Sequence, residues 1–173
     1  NKMAGEQFHL LFNDVYGLNT VCLRLTNTYG PCMRIKDARQ TFLGVWIKNL
    51  IKGEPILVFG DGTQKRDFNY VDDVVEALIT ASKSDNSFGK SINLGSSEVI
   101  SLEELAKKLC KLHPGGSYKI VPFPPERKAI DIGNYYGNYK LATKLMNWEP
   151  KIKLNEGLEK TLSYYKKSYQ MYI

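Results

Sequence analysis

An α/β layered fold is predicted for these 173 residues on three observations. Short apolar runs of strand length (20–25, 56–59, 91–94, 118–121) alternate with segments of helical spacing. Glycine and proline fall between them, as at Gly60-Asp61-Gly62 and Pro114-Gly115-Gly116. Repeats, low-complexity tracts and linkers are absent from the sequence.

Taken in order, Phe8, Leu11, Phe12 and Val15 lie at i, i+3, i+4 and i+7 of an amphipathic helix that Gly17 stops as a left-handed cap. Thr20 to Leu25 reads as a buried strand that opens into Asn27-Thr28-Tyr29-Gly30-Pro31, with Tyr29 to Pro31 forming a turn. A second helix is expected from about Ala38 to Lys52, with Phe42, Val45, Trp46 and Leu50 on one face and Gly53 as its stop. Ile56 to Phe59 is a strand. Asp72 is placed to cap a helix carrying Val74, Val75, Leu78 and Ile79. A strand over Ser91 to Leu94 precedes a Ser101-x-x-Glu104 capping box ahead of Leu102, Leu105, Ala106 and Leu109. Tyr118 to Val121 is a strand, and Pro122-Phe123-Pro124-Pro125 must be extended, because proline restricts both itself and its predecessor. Two closing helices carry Leu141 and Leu145, then Leu158, Leu162 and Tyr165.

Composition narrows the function. Apolar residues make up 43 % and charged residues 24 %, the balance of a globular protein, and no apolar run approaches the ~20 residues that span a bilayer. Cys22, Cys32 and Cys110 lack metal-ligand spacing, and His9 and His113 stand apart from acidic or thiol clusters. A reduced, cytoplasmic protein without a metal or a disulfide framework is expected. The net charge of +6 favours anionic ligands, but 18 acidic residues are interleaved with the basic ones, which points to local anion sites rather than a nucleic-acid stripe. Asp72-Asp73 could suggest an acid–base pair. Adjacent residues leave a helix in different directions, so a cap plus a first-turn dipole contact explains them better.

Four segments resemble the extended short-chain dehydrogenase/reductase family, the NAD-dependent NDP-sugar epimerases and 4,6-dehydratases. Asn1-Lys2-Met3-Ala4-Gly5-Glu6 is similar to the back half of the family's Tyr-x-x-x-Lys helix. Leu23-Arg24-Leu25-Thr26-Asn27-Thr28-Tyr29-Gly30-Pro31 resembles R-x-x-N-x-Y-G-P, and Phe59 to Asp73 resembles F-G-x-G-x-Q-x-R-D-x-x-Y-V-x-D. Asn147-Trp148-Glu149-Pro150 with Glu156-Gly157-Leu158 and Thr161 is similar to the terminal G-W-x-P…L-x-E-G-L-x-x-T.

Because the tyrosine of the first motif would precede Asn1, and no glycine-rich dinucleotide loop is present, the resemblance implies a carboxy-terminal portion only, like that of a UDP-glucose 4-epimerase and inactive alone. The implied fold is the carboxy-terminal part of a Rossmann-type doubly wound sheet plus a smaller α/β substrate-binding lobe. Residues 1–31 would end the Rossmann domain and 32–173 would be mainly the lobe, with 72–96 returning to the sheet.

The resemblance assigns Lys2 to catalysis and to NAD, lowering the pKa of a tyrosine base and meeting the nicotinamide ribose; an isolated lysine there would simply be solvated. It places Leu25, Thr26 and Thr28 beside NAD, and Asn27, Gln40, Thr41, Phe42, Leu57, Phe59, Arg66 and Arg127 around the substrate. Arg66 is the leading candidate, since an arginine fork pairs two phosphate oxygens at once; the alternative is a protein salt bridge, with Asp72 as one partner. Arg127 is the candidate second clamp, with Lys128 its rival, because Pro125-Glu126-Arg127-Lys128-Ala129-Ile130-Asp131 departs from the common R-x-G-D form. Phe59 stacks on a base or sits in the core, and Asn27 meets the ligand or starts a turn.

The implied chemistry is 4-epimerisation of a UDP- or dTDP-linked sugar through a 4-keto intermediate, in a homodimer that contacts neither nucleic acid nor membrane. NAD binding is not expected for this portion alone. The alternatives are a 4,6-dehydratase or a non-enzymatic NDP-sugar-binding module.

Overall fold

A computed structural model of the chain describes residues 1–37 and 41–172. Helix α1 (Lys2–Tyr16) ends where Gly17 turns left-handed at φ 65° and returns its N–H to the Asn13 carbonyl, as its position predicts. Strand β1 (Val21–Arg24) is half-buried rather than buried. Its free edge and the outward face of α1 leave Phe8, Leu11, Phe12 and Val15 exposed, so the apolar stripe of α1 contributes no core residue.

Strand β2 (Asn27–Tyr29) takes in Tyr29, the first residue of the expected turn, and the chain turns just after it at residues 30–32; α2 (Phe42–Ile51) starts from Thr41, whose hydroxyl accepts from the Leu43 N–H. The expected start of α2 at Ala38 lies outside the described residues. Strand β3 (Ile56–Phe59) is followed by β4 (Lys65–Tyr70), which leads directly into α3 (Val71–Ala81). Tyr70, not Asp72, is the N-cap of α3. The buried face of α3 is Asp73, Val74, Ala77 and Ala81, while Val75, Leu78 and Ile79 face outward. That rotation has a cause: the buried Asp73 carboxylate accepts from the Lys151 and Ile152 amides, and its carbonyl accepts from the Trp148 indole.

Strands β5 (Lys90–Asn93) and β6 (Val99–Ser101) lead to α4 (Leu102–Leu112), which opens on the predicted capping box. Strand β7 (Tyr118–Val121) ends in the proline segment, whose last member, Pro125, is not extended but opens the one-turn helix α5 (Pro125–Lys128). A first helical residue needs no N–H donor, so proline is tolerated there. Helices α6 (Lys140–Met146) and α7 (Leu154–Ser168) close the chain.

The expectation of only the last part of a doubly wound sheet beside a smaller lobe is corrected by this arrangement. Strand–helix alternation runs through nearly the whole chain, and the described strands form three small sheets: β1 with β5, β2-β4-β6, and β3 with β7. The pairings are parallel except β4 with β6. Helices α2 and α4 pack on β3, and α3 and α7 on β4, so each of these strands is covered by one helix close to it in sequence and one far along the chain. The larger core joins Tyr29, Trp46, Ile47, Phe68, Leu109, Leu158 and Tyr165; a second joins Val74, Ala77, Ile92, Leu94, Met146 and Trp148.

Candidate functional site

Strand β4 is polar where strands are usually apolar, and this positions the site. Arg66, Asp67 and Asn69 are 8 %, 0 % and 1 % exposed. Most buried polar groups are hydrogen-bonded, and these are, apart from Asp67 Oδ1, which has no protein partner. The Asp67 carboxylate accepts from the Ser96 N–H at 3.0 Å and the Gly137 N–H at 3.1 Å, and Asn69 donates to the Gly95 carbonyl at 2.7 Å while accepting from Thr26 Oγ1 at 2.9 Å. Gly95 and Gly137 meet backbone to backbone: a Cβ on Gly95 would lie 2.6 Å from the Gly137 carbonyl oxygen. A strap, residues 129–138, is thereby fastened along β4. Lys65 donates its N–H to Asn134 Oδ1 at 2.8 Å and accepts from the Tyr135 N–H at 3.0 Å.

Between this strap, β3 and α2 lies a cleft of about 480 Å³. Its walls are Phe42, Trp46, Leu57, Phe59 and Phe123, its floor includes Asn27, and Arg66, Arg127 and Asp131 bring charge to it. The size and the mix of apolar walls with a few polar groups are those of a small-molecule site. Arg66 Nη1 donates to the Lys65 carbonyl at 2.9 Å and to the Gly133 carbonyl, and Nη2 lies 3.7 Å from Asp131 Oδ1. Its ion-pair partner is therefore Asp131 rather than Asp72, and its guanidinium both pairs within the protein and lines the cleft. Asn27 Nδ2 donates to the Asp67 carbonyl at 2.9 Å. Trp46 donates its indole N–H to the Leu57 carbonyl, holding the two walls together.

Of the residues singled out in the sequence, Asn27, Phe42, Leu57, Phe59, Arg66 and Arg127 come together here. Thr41 serves as the cap of α2, Gln40 lies outside the described residues, and Lys128 is not among the cleft's lining. Lys2 sits exposed in the first turn of α1, away from this cleft. Leu25 and Thr26 join β1 to β2 and Thr28 lies within β2; Leu25 is 43 % exposed, and the buried Thr28 hydroxyl has no protein partner. A hydroxyl of that kind is a fitting contact for a ligand.

Phe123, Ile130, Asp131 and Ile132 were missed as site residues, as were Val45, Trp46, Asn49 and Leu102. The available signal was Phe123 itself, a lone aromatic held in a stiff proline segment. Elsewhere, burial drives the Tyr29 and Tyr165 hydroxyls well above their usual range, and hydrogen bonding to Tyr164 draws the Cys32 thiol down. None of these groups lies in the cleft. No group of metal-binding side chains occurs among the described residues, and no described helix is long and apolar enough to cross a membrane.

Residues 1–95 match the model of the NAD dependent epimerase/dehydratase family. The chain belongs to that family. It is 32 % identical over 98 % of its length to a UDP-glucuronate 4-epimerase of Thermodesulfobacterium geofontis, covering 50 % of that protein. It is 34 % identical over 91 % of its length to UDP-glucuronic acid decarboxylase 6 of Arabidopsis thaliana, covering 44 % of it. Among solved structures it resembles UDP-glucuronic acid 4-epimerase from Bacillus cereus in complex with UDP-glucuronic acid and NAD. The TM-score is 0.80, the identity 29 %, and the match covers 96 % of this chain and 51 % of that one.

The chain thus spans about half the length of the curated relatives it matches. The expectation of a carboxy-terminal substrate portion, inactive alone, is corrected by these matches. The family match takes in residues 1–95, and the likeness to an epimerase and a decarboxylase extends over 98 % and 91 % of the chain rather than a separate lobe.

Proposed function

We propose that this chain belongs to an NAD-dependent enzyme acting on nucleoside-diphosphate sugars, an epimerase by its nearest chemistry, and that the cleft holds the nucleotide diphosphate. The observation that carries the reading is the pair Arg66 and Arg127 set among Phe42, Phe59, Trp46 and Phe123 in one cleft. Fixed guanidinium charge matches paired phosphate oxygens, and aromatic walls match a base and ribose. Asn27, its amide tied to the Asp67 carbonyl, presents its remaining polar atom to the ligand from the floor.

The residues that fit NAD are Leu25, Thr26 and Thr28, the last with a buried, unpartnered hydroxyl, and Lys2 would meet ribose hydroxyls. NAD supplies the acceptor and donor for oxidation and reduction at the sugar. The protein's part is to hold the diphosphate end so that binding energy far from the reacting carbon orients it.

The test is titration of the chain with UDP in the presence of NAD. Arg66→Ala is expected to weaken UDP at least tenfold, since a charge-assisted hydrogen bond contributes about 1.5–3 kcal/mol. Unchanged affinity would remove the cleft from consideration. An assay following both C4 inversion and carbon dioxide release from UDP-glucuronic acid separates epimerase from decarboxylase chemistry.

A further inference from the structure

Arg66 has divided loyalties. Its Nη1 is committed to two backbone carbonyls, those of Lys65 and Gly133, which fix the guanidinium plane against the strap. Its Nη2 faces Asp131 across 3.7 Å, an attractive separation but too long for a good hydrogen bond. Both side chains line the cleft.

The two ends of the strap differ in how firmly they are held. Its downstream end is fastened by Asn134, Tyr135 and Gly137 to β4. The stretch around Asp131 is joined by weaker local bonds, Ile130 N–H to the Arg127 carbonyl and Asp131 N–H to the Lys128 carbonyl, each 3.3 Å. Its neighbours Ile130 and Ile132 are 73 % and 65 % exposed, so little packing opposes an outward swing.

We propose that Asp131 is a displaceable counter-ion on Arg66, a specificity-determining residue that an incoming diphosphate must turn out of the cleft. This rests on the reading of the cleft as a diphosphate site. Before binding, the carboxylate offsets the guanidinium charge and keeps the fork aimed. When paired phosphates arrive, a bidentate contact replaces the long single ion pair, and the carboxylate moves away with residues 129–132. Affinity is then a difference between two ion pairs, so a ligand without that charge gains nothing from Arg66.

Asp131→Asn preserves shape and removes the competing charge. Titration with UDP, in the presence of NAD, is expected to show about tenfold tighter binding than the parent protein, with uridine unchanged. Equal or weaker UDP binding by Asp131→Asn, with the parent protein binding UDP and Arg66→Ala losing it, overturns the counter-ion role and leaves the cleft assignment standing. Absence of UDP binding in both proteins overturns the two together. A matching gain for uridine also overturns it, because uridine carries no charge for Asp131 to repel.

Discussion

Gly157 lies inside α7 with no room for a side chain: a Cβ there would collide with the Tyr29 hydroxyl and sit 2.9 Å from the Tyr70 ring. Alanine would favour the helix by about 1 kcal/mol, but overpacking a closed core costs about 1–3 kcal/mol or more. The clash is expected to win, and Gly157→Ala should lower the urea midpoint at unchanged slope. Leu158, 0 % exposed beside it, should cost about 2–5 kcal/mol as Leu158→Ala in the same measurement. At this scale the sequence singled out Arg66, which lines the cleft, but not its partner. Asp131 lies 65 positions on, and no local spacing links a strap to the strand it crosses. Asp67 and Asn69 were hidden for another reason: a polar residue in a strand reads as surface until the carbonyls and amides that satisfy it are seen.

Among the elements, those with complete local signals were legible. Ile56 to Phe59 is an apolar run bounded by Pro55 and Gly60, and the strand matches it residue for residue. The capping box of α4 is present in both halves, with Ser101 accepting from the Glu104 N–H and the Glu104 carboxylate accepting from the Ser101 N–H. Ser101→Ala is expected to cost about 1 kcal/mol, a fall of roughly 2–4 °C in thermal midpoint for a chain this long. Strand β4 was illegible because Lys65-Arg66-Asp67-Phe68-Asn69-Tyr70 lacks apolar alternation; it is held by pairing with β2 and β6 and by the strap. The inward face of α3 was not legible because Val75, Leu78 and Ile79 satisfy helical spacing as well as Val74, Ala77 and Ala81 do. Periodicity specifies a stripe but not which of two stripes is inward, and here Asp73 and its amide partners decide it.

Over the whole molecule, acid should be the destabilising direction. Glu6 is held below its ordinary 4.5 by hydrogen bonding from Arg24, Glu103 by Lys107, Glu104 by the Ser101 hydroxyl, and Asp61 below 3.8 by the Thr63 N–H. A folded pKa below the unfolded one contributes stability above the unfolded value that is lost as pH falls through the folded value. Burial lowers His113 from 6.5, so its contribution follows the same sign and begins to fade below pH 6.5. Denaturation midpoints should be flat from about pH 7 to 8, then decline below 6.5 and more steeply below 4.5. Phe8, Leu11, Phe12 and Val15 leave an apolar stripe exposed on α1, Phe8 and Val15 at 60 % each, and a contiguous apolar patch favours self-association. Sedimentation should show mass rising with concentration, and Phe8→Glu should abolish the rise. Gly95 and Gly137 meet through bare backbone. Neither position tolerates a methyl group without prising two main chains apart, whereas 129–132 project outward with space around them. Descendants of this chain are free to rewrite the rim and so change what is admitted, while the pivot beneath it stays glycine.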